Sequence, residues 1–275
     1  MKNNSTARNL FLSFSYSVII GFCIMCVYWL CTGMKYNLFG CLRAFIPAFA
    51  AVFAFLITAT VYYAVYSSKK RKELISFKEK NGFCDEYYKK VKQYLGSKGK
   101  LSASKLLYLA SAYAEGERYE ECADTLKRIR FSHLNSSEQN EYFNIMLYNS
   151  LLKGDIEASE KIYISSMHYF ERAMLGKNSA HIKHTLGLFY YAKGELAKAE
   201  NYFINAKATT KNKSLAGDCD LYLGLCYLKT NRREYAKQCA VEASKEITEY
   251  SQKINLRKLM ILVEKAYGIK TAEQK

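Results

Sequence analysis

The sequence predicts an all-α fold in which a two-helix transmembrane hairpin precedes a solenoid of about four helical hairpins with capping helices. Two uncharged apolar runs, at residues 10–31 and 44–65, indicate the membrane part. A spaced series of Gly, Ala and aromatic residues, which occurs in four imperfect copies between residues 104 and 250, indicates the solenoid. No Pro or Gly interrupts residues 48–81, which favours one long helix between the two parts.

The first 66 residues form the predicted membrane anchor. They contain no Asp or Glu, and each apolar run has about the length needed to cross a bilayer. A cleaved signal peptide would explain the first run, but that run is too long and no small-x-small cleavage site follows Cys31. A buried hairpin of a soluble protein would explain both runs, although two uncharged runs in succession favour a membrane. Pro47 is expected in the first turn of the second helix, where its missing N–H costs little.

The distribution of basic residues predicts the orientation of the anchor. Lys35 and Arg43 lie in the short loop between the runs, whereas more basic residues flank the anchor on both outer sides. The positive-inside rule therefore predicts a multi-pass protein of the cell membrane with both termini in the cytoplasm.

Residues 67–82 form a predicted basic juxtamembrane linker. It contains a run of four cations, which are Lys69, Lys70, Arg71 and Lys72. Such a run is expected to lie among anionic lipid headgroups, at about 1 kcal/mol per charge. The second membrane helix is expected to continue through this linker until Gly82 interrupts it.

Amphipathic helices are predicted at both ends of the solenoid. In residues 83–103, Phe83, Tyr87, Val91 and Leu95 recur at four-residue spacing and predict an amino-terminal cap helix followed by a loop. Residues 251–275 contain a similar pattern and predict a carboxy-terminal cap helix and tail. Terminal caps are what an open stack of helices requires.

Residues 104–250 contain the repeated series. Its clearest copy describes two short helices that meet at a small residue, and it consists of Leu186, Gly187, Tyr190, Gly194, Leu196, Ala199, Phe203 and Ala206. Gly187 has no side chain to hold the second helix away, and Gly194 suits the turn. The equivalent anchor positions are Ala110, Leu147, Gly187 and Gly224, separated by 37, 40 and 37 residues. An ordinary helical bundle is the alternative, since aromatic and Ala stripes also occur in simple cores.

This spacing resembles the tetratricopeptide repeat, and the chain is identified as a membrane-anchored member of that family. The resemblance implies a concave groove lined by the first helices of successive units, which binds a peptide or protein. The groove residues that it implies here are Asn144, Tyr148, Leu151, His181, His184, Leu188, Tyr191, Leu225 and Lys229. Some family members hold a carboxy-terminal carboxylate with Lys and Asn, where this chain has Leu107 and Ser111. That clamp is therefore not expected.

The sequence contains no motif that argues for catalysis or for a cofactor. No nucleophile elbow, metalloprotease helix, dinucleotide fingerprint or kinase motif occurs. His181 and His184 have a spacing that can chelate a metal, but no carboxylate or Cys is placed by sequence to complete the shell. The nine cysteines are expected to be reduced, mostly as small core residues. We therefore expect no enzyme, no catalytic residue, no cofactor and no metal.

The function predicted from the sequence is that of a membrane-tethered cytoplasmic scaffold for a protein or peptide partner. Beyond residue 66 the chain has 37 Lys plus Arg and 25 Asp plus Glu, a net charge of +12 spread over several clusters. Such an excess favours acidic proteins, anionic membrane or nucleic acid without choosing between them. Two alternatives remain open, a basic surface for nucleic acid or anionic lipid, and a non-catalytic subunit of a membrane enzyme or transporter complex.

Overall fold

The structure is a computed structural model that describes residues 15–16, 18–24, 26–27, 38–96, 101–176, 179–247 and 250–267. All regular secondary structure in these residues is helical, which confirms the all-α class. The chain divides into two compact units, Met1–Glu73 and Leu74–Lys275.

Helix α1 (Leu38–Asn81) contains the second predicted membrane run. It begins before residue 44, so Pro47 lies inside the helix and the placement of this proline in the first turn is wrong. The helix ends at Asn81, directly before Gly82, whose φ of 67° lies in the left-handed region that favours glycine. Within the described residues, one segment, Ala50–Asn81, is long and apolar enough to cross a membrane. Large side chains such as Phe55 and Tyr62 are exposed along it, as lipid contact would permit.

Half of the first predicted membrane run lies outside the described residues. Its described parts, residues 15–16, 18–24 and 26–27, are helical, with exposed side chains that include Ile19 and Phe22. The two-helix hairpin and the cytoplasmic placement of both termini therefore stay predictions.

The second unit is a solenoid-like stack of helices. Its helices are α2 (Asp85–Leu95), α3 (Ala103–Glu115), α4 (Tyr119–Lys127), α5 (Ser136–Lys153), α6 (Ile156–Met174), α7 (Ser179–Ala192), α8 (Leu196–Thr209), α9 (Lys213–Lys229), α10 (Arg233–Glu246) and α11 (Tyr250–Ala266), with a 3-10 turn at Phe131–His133. Helices α3/α4, α5/α6, α7/α8 and α9/α10 form four consecutive hairpins, and the first helices of neighbouring hairpins also contact one another. Helix α2 contacts α3, and α11 contacts α9 and α10.

The four hairpins turn in the same way. In each turn one backbone N–H bonds the carbonyl three residues earlier and the next N–H bonds the carbonyl five residues earlier, as in Gly154 to Leu151 and Asp155 to Ser150. The residue with positive φ in each turn is Glu117, Gly154, Gly194 or Asn231. These positions are separated by 37, 40 and 37 residues, the same intervals as the anchor positions of the sequence pattern. The turns therefore share one register with the repeated series.

Gly187 allows the two helices of the third hairpin to approach closely, as predicted. A Cβ atom at this position would come within 2.6 Å of Phe203 Cε1, and the Phe203 side chain is fully buried. Gly224 has a different neighbour, since a Cβ atom there would lie 2.9 Å from Leu259 Cδ2 on α11. Because Gly224 has no side chain, the carboxy-terminal helix α11 can pack closely against α9.

One ion pair connects each hairpin turn to the helix that precedes the hairpin, and we call these four ion pairs the turn ladder. Their members are Arg118 with Asp85, Lys153 with Glu120, Lys193 with Glu160, and Arg232 with Glu200. The partners are 33 residues apart in the first three pairs and 32 in the fourth. Asp85 belongs to α2, so this helix takes the place of a second helix ahead of the first hairpin.

Three cysteines are core residues of the second unit. Cys122, Cys219 and Cys226 are fully buried, and burial raises the pKa of each thiol. Cys84 is exposed, contrary to the general expectation for the cysteines. The cysteines whose side chains the structure describes are free thiols, namely Cys23, Cys26, Cys84, Cys122, Cys219, Cys226 and Cys239.

Candidate partner-binding groove

The first helices of the four hairpins surround a cavity of about 270 Å³, which we call the groove cavity. Its walls come from α3, α5, α7 and α9, and residues at the end of α1 and on α11 complete it. All of these residues belong to the second unit. Polar side chains predominate among them, so this is a recess for hydrogen-bonding groups rather than a dry hydrophobic slot.

Four of the predicted groove residues line this cavity. Asn144 and Tyr148 lie one turn apart on α5, and His181 and His184 lie on α7. Ser111 of α3 joins them. These positions share one face of each first helix because residues three or four apart in sequence are neighbours on a helix surface.

Two predicted groove residues pack in the hydrophobic core instead of lining the cavity. Leu188 is 5% exposed and packs with Phe203 and Cys219, so that it lies against the second helix of its own hairpin and the first helix of the next. Leu151 is half-buried and packs against the same cluster. Close approach of α8 and α9 to α7 covers the position that the repeat pattern assigned to the groove.

The remaining predicted residues lie near the far end of α7 and α9 and do not line the groove cavity. The Lys229 ammonium lies 4.1 Å from the centre of the Tyr191 ring, a favourable cation–π contact. Leu225 is half-buried against the carboxy-terminal hydrophobic cluster. Tyr191 also meets Tyr222 edge to face, at 5.8 Å between ring centres.

His184 and Asp218 form the most buried polar pair of the groove cavity. Nε2 of His184 lies 2.8 Å from Oδ2 of Asp218, and their side chains are only 6% and 15% exposed. The direction of this contact does not satisfy a hydrogen bond, so Nε2 is buried without one. Asn144 Oδ1 is also buried without a hydrogen bond. These atoms leave hydrogen-bonding capacity at the wall of the cavity.

His181 lies one turn before His184 and is accessible from the cavity. Desolvation by the surrounding protein lowers its pKa, and the neighbouring His184 lowers it further. His181 is therefore held neutral to lower pH than a free histidine. No group of three or more His, Cys, Asp or Glu side chains in the described residues is arranged to hold a metal ion.

The ionisable side chains of the groove cavity are mainly acidic. Lys78 is the cation among them, and its ammonium lies 3.3 Å from a Glu115 carboxylate oxygen. Glu117 and Asp218 are the other carboxylates of the lining. One lysine and three carboxylates give this lining a formal charge of −2 with both histidines neutral. The cavity is thus opposite in sign to the chain, whose formal net charge is +16.

Sequence analysis missed the three carboxylates. Glu117 occupies the turn position that is Gly in the second and third hairpins, so the repeat alignment contained a signal for this residue. Asp218 lies on α9 beside the Gly217 backbone, and no local pattern indicates that it meets His184 of the preceding hairpin. Contacts of this kind depend on how successive hairpins stack, which the sequence pattern does not specify.

The predicted membrane-surface cations lie on the first unit. Lys69, Lys70, Arg71 and Lys72 are all exposed on α1. Lys70 forms a local ion pair with Glu73 at 3.2 Å. Their exposure leaves them accessible to anionic groups.

Comparison with known proteins gives no relative. No protein-family model, no curated protein and no solved structure matches the chain. The functional argument therefore depends on the residues of the groove and of α1.

Proposed function

We propose that this chain is a membrane-tethered, tetratricopeptide-like scaffold that binds a partner protein or peptide in its groove. The groove cavity is the observation on which the proposal depends. It joins the first helices of all four hairpins and has buried polar atoms without hydrogen bonds, as a site that awaits a partner would. Tyr148 supplies an aromatic surface beside these polar groups, and such a combination suits an extended segment of protein chain.

The apolar helix α1 supplies the second part of the proposal. In our account the segment Ala50–Asn81 spans the membrane in part, the predicted run at residues 10–31 forms a second span, and both termini are cytoplasmic. The exposed cations from Lys69 to Lys72 then lie at the anionic headgroups. Tethering restricts the groove to the membrane surface and raises the effective concentration of partners that are also membrane-bound.

Affinity capture with the full-length chain tests this function. The chain is purified in neutral-lipid nanodiscs and exposed to cell extract with nuclease, over a rising salt series. We expect one distinct protein to remain bound at high salt, because apolar and hydrogen-bonded contacts in a groove are screened less than exposed charges. Tyr148→Ala should abolish binding of this protein. Tyr235→Ala, which changes an exposed tyrosine outside the groove cavity, should leave the protein bound.

The same experiment distinguishes docking from an electrostatic surface. Changing Lys127, Arg128 and Arg130 to Glu should leave the partner bound if the groove holds it. Loss of all binding with nuclease or with modest salt would contradict the proposal and favour a basic surface for anionic polymers or lipid.

A further inference from the structure

We infer that the groove cavity receives a lysine or arginine side chain of the partner, held by the carboxylates of Glu117 and Asp218 and by Asn144. This inference depends on the proposed function, since it specifies what the groove recognises. The inferred partner is a protein that presents a basic residue, although this chain as a whole is itself strongly basic.

The available hydrogen-bonding atoms of the cavity favour a ligand that donates hydrogen bonds and accepts none. Asn144 Oδ1 is a buried acceptor without a hydrogen bond. The Glu117 side chain forms no ion pair or hydrogen bond with any described residue. Asp218 Oδ2 lies 2.8 Å from His184 Nε2, which has no hydrogen bond. Ammonium and guanidinium groups donate and do not accept, so they complement this set of acceptors.

The charge of the cavity supports the same ligand. Lys78 pairs with Glu115, which leaves Glu117 without a cation and Asp218 with only His184 beside it in the lining. Asp218 is only 15% exposed, so its charge has lost much of its hydration. A cation from the partner would compensate it, and hydrogen bonds to a charged group are stronger than neutral ones.

The size of the cavity suits one long side chain. Its volume of about 270 Å³ lies just below the roughly 300–1,000 Å³ of pockets that hold drug-sized ligands. Tyr148 and Tyr222 line it and can cover the aliphatic stem of a lysine or stack on a guanidinium.

The backbone of Glu117 indicates that its side chain has a role besides packing. Its φ of 60° is left-handed, and the equivalent turns use Gly154, Gly194 or Asn231, which adopt this conformation more readily. A glutamate therefore occupies a turn position where the backbone favours glycine or asparagine. This also provides a variant, Glu117→Gly, that removes the carboxylate without threatening the fold.

A random linear-peptide display library, panned on the full-length chain in phosphatidylcholine nanodiscs, tests the inference. The neutral lipid prevents basic peptides from binding the bilayer. We expect retained peptides to be enriched in Lys or Arg at one position over the input library. A retained peptide should bind about tenfold more weakly to Glu117→Gly and to Asp218→Asn. Glu157→Gln should not change its affinity, because Glu157 is an exposed carboxylate on α6 outside the cavity.

The outcomes separate this inference from the proposed function. Peptides that depend on Tyr148 but show no basic enrichment, or that bind Glu117→Gly and Asp218→Asn unchanged, would overturn the inference and leave groove docking intact. If no peptide bound in a Tyr148-dependent manner, both would be overturned. Thermal unfolding of each variant confirms that a lost affinity does not reflect a lost fold.

Discussion

Arg232 and Glu200 form a bidentate ion pair between successive hairpins. Arg232 Nη1 donates to Glu200 Oε1 at 3.1 Å and Nη2 donates to Oε2 at 2.5 Å. Arg232 is the last residue of the turn, directly before α10, and Glu200 lies on α8, the second helix of the preceding hairpin. It is the last pair of the turn ladder, and it fixes the register of one hairpin on the next. The Arg232 guanidinium also lies 4.4 Å from the centre of the Tyr227 ring.

Replacement of Arg232 should loosen this contact. We expect Arg232→Ala to lower the free energy of unfolding by about 1 kcal/mol, a value kept small because the Arg232 side chain is 39% exposed. Circular dichroism during denaturant unfolding of the full chain in detergent measures the change. Lys245→Ala, which breaks a local exposed pair with Glu242, is the control and should change little. Equal effects of the two variants would contradict a stacking role for the turn ladder.

Gly187→Ala should strongly destabilise the third hairpin. The added methyl group would come 2.6 Å from Phe203, and we expect a loss of about 2–3 kcal/mol from overpacking. The double variant Gly187→Ala with Phe203→Leu should recover part of this loss, because the smaller side chain makes room. A midpoint of unfolding unchanged by Gly187→Ala would show that the two helices are not held as closely as described.

Turn position 117 should tolerate Gly better than Glu. We expect Glu117→Gly to raise the free energy of unfolding by about 0.5 kcal/mol, since the left-handed backbone suits glycine. The reciprocal change, Gly194→Glu, should lower it by about 1 kcal/mol. Denaturant titration of both variants against the wild-type chain provides the comparison. A stabilising Gly194→Glu would refute the common geometry of the four turns.

Glu141 should make stability depend on pH. Its side chain is exposed at the surface, but desolvation by neighbouring protein atoms, and then the charge of Glu138, raises its pKa above the ordinary value of 4.5, so the effect on stability is small. A raised folded-state pKa contributes stability below the unfolded-state pKa, and this contribution is lost as pH rises through the folded-state pKa. Glu141→Gln should therefore unfold at higher temperature than the wild-type chain near neutral pH, with a smaller difference below pH ~4. Melting curves at several pH values provide the measurement, and a pH-independent difference would contradict it.

Much of the helical architecture could be predicted from local patterns. The close approach at Gly187 followed from residue spacing alone, because a small residue and an aromatic residue recur at fixed positions on two adjacent helices. The early start of α1 was missed, because Pro47 suggested a helix start although the helix accommodates it internally. Half of the first membrane run lies outside the described residues, and its span of the membrane stays a prediction.

The groove was only partly predictable, for a physical reason. Positions on one helix face, such as Asn144 and Tyr148, follow from helical periodicity. The burial of Leu188 and the meeting of His184 with Asp218 instead depend on how α9 stacks on α7. The turn ladder likewise joins residues more than thirty positions apart, and one sequence gives no signal for such pairs.

Site-specific photo-crosslinking of the whole chain in living cells tests groove docking most directly. A photoreactive aromatic residue replaces Leu152, which lines the groove cavity, or Ile164, which is exposed on the second helix α6. We predict a discrete adduct of one partner from position 152, abolished by Tyr148→Ala and absent from position 164. Adducts from position 164 but not from 152, or none that depends on Tyr148, would contradict the account.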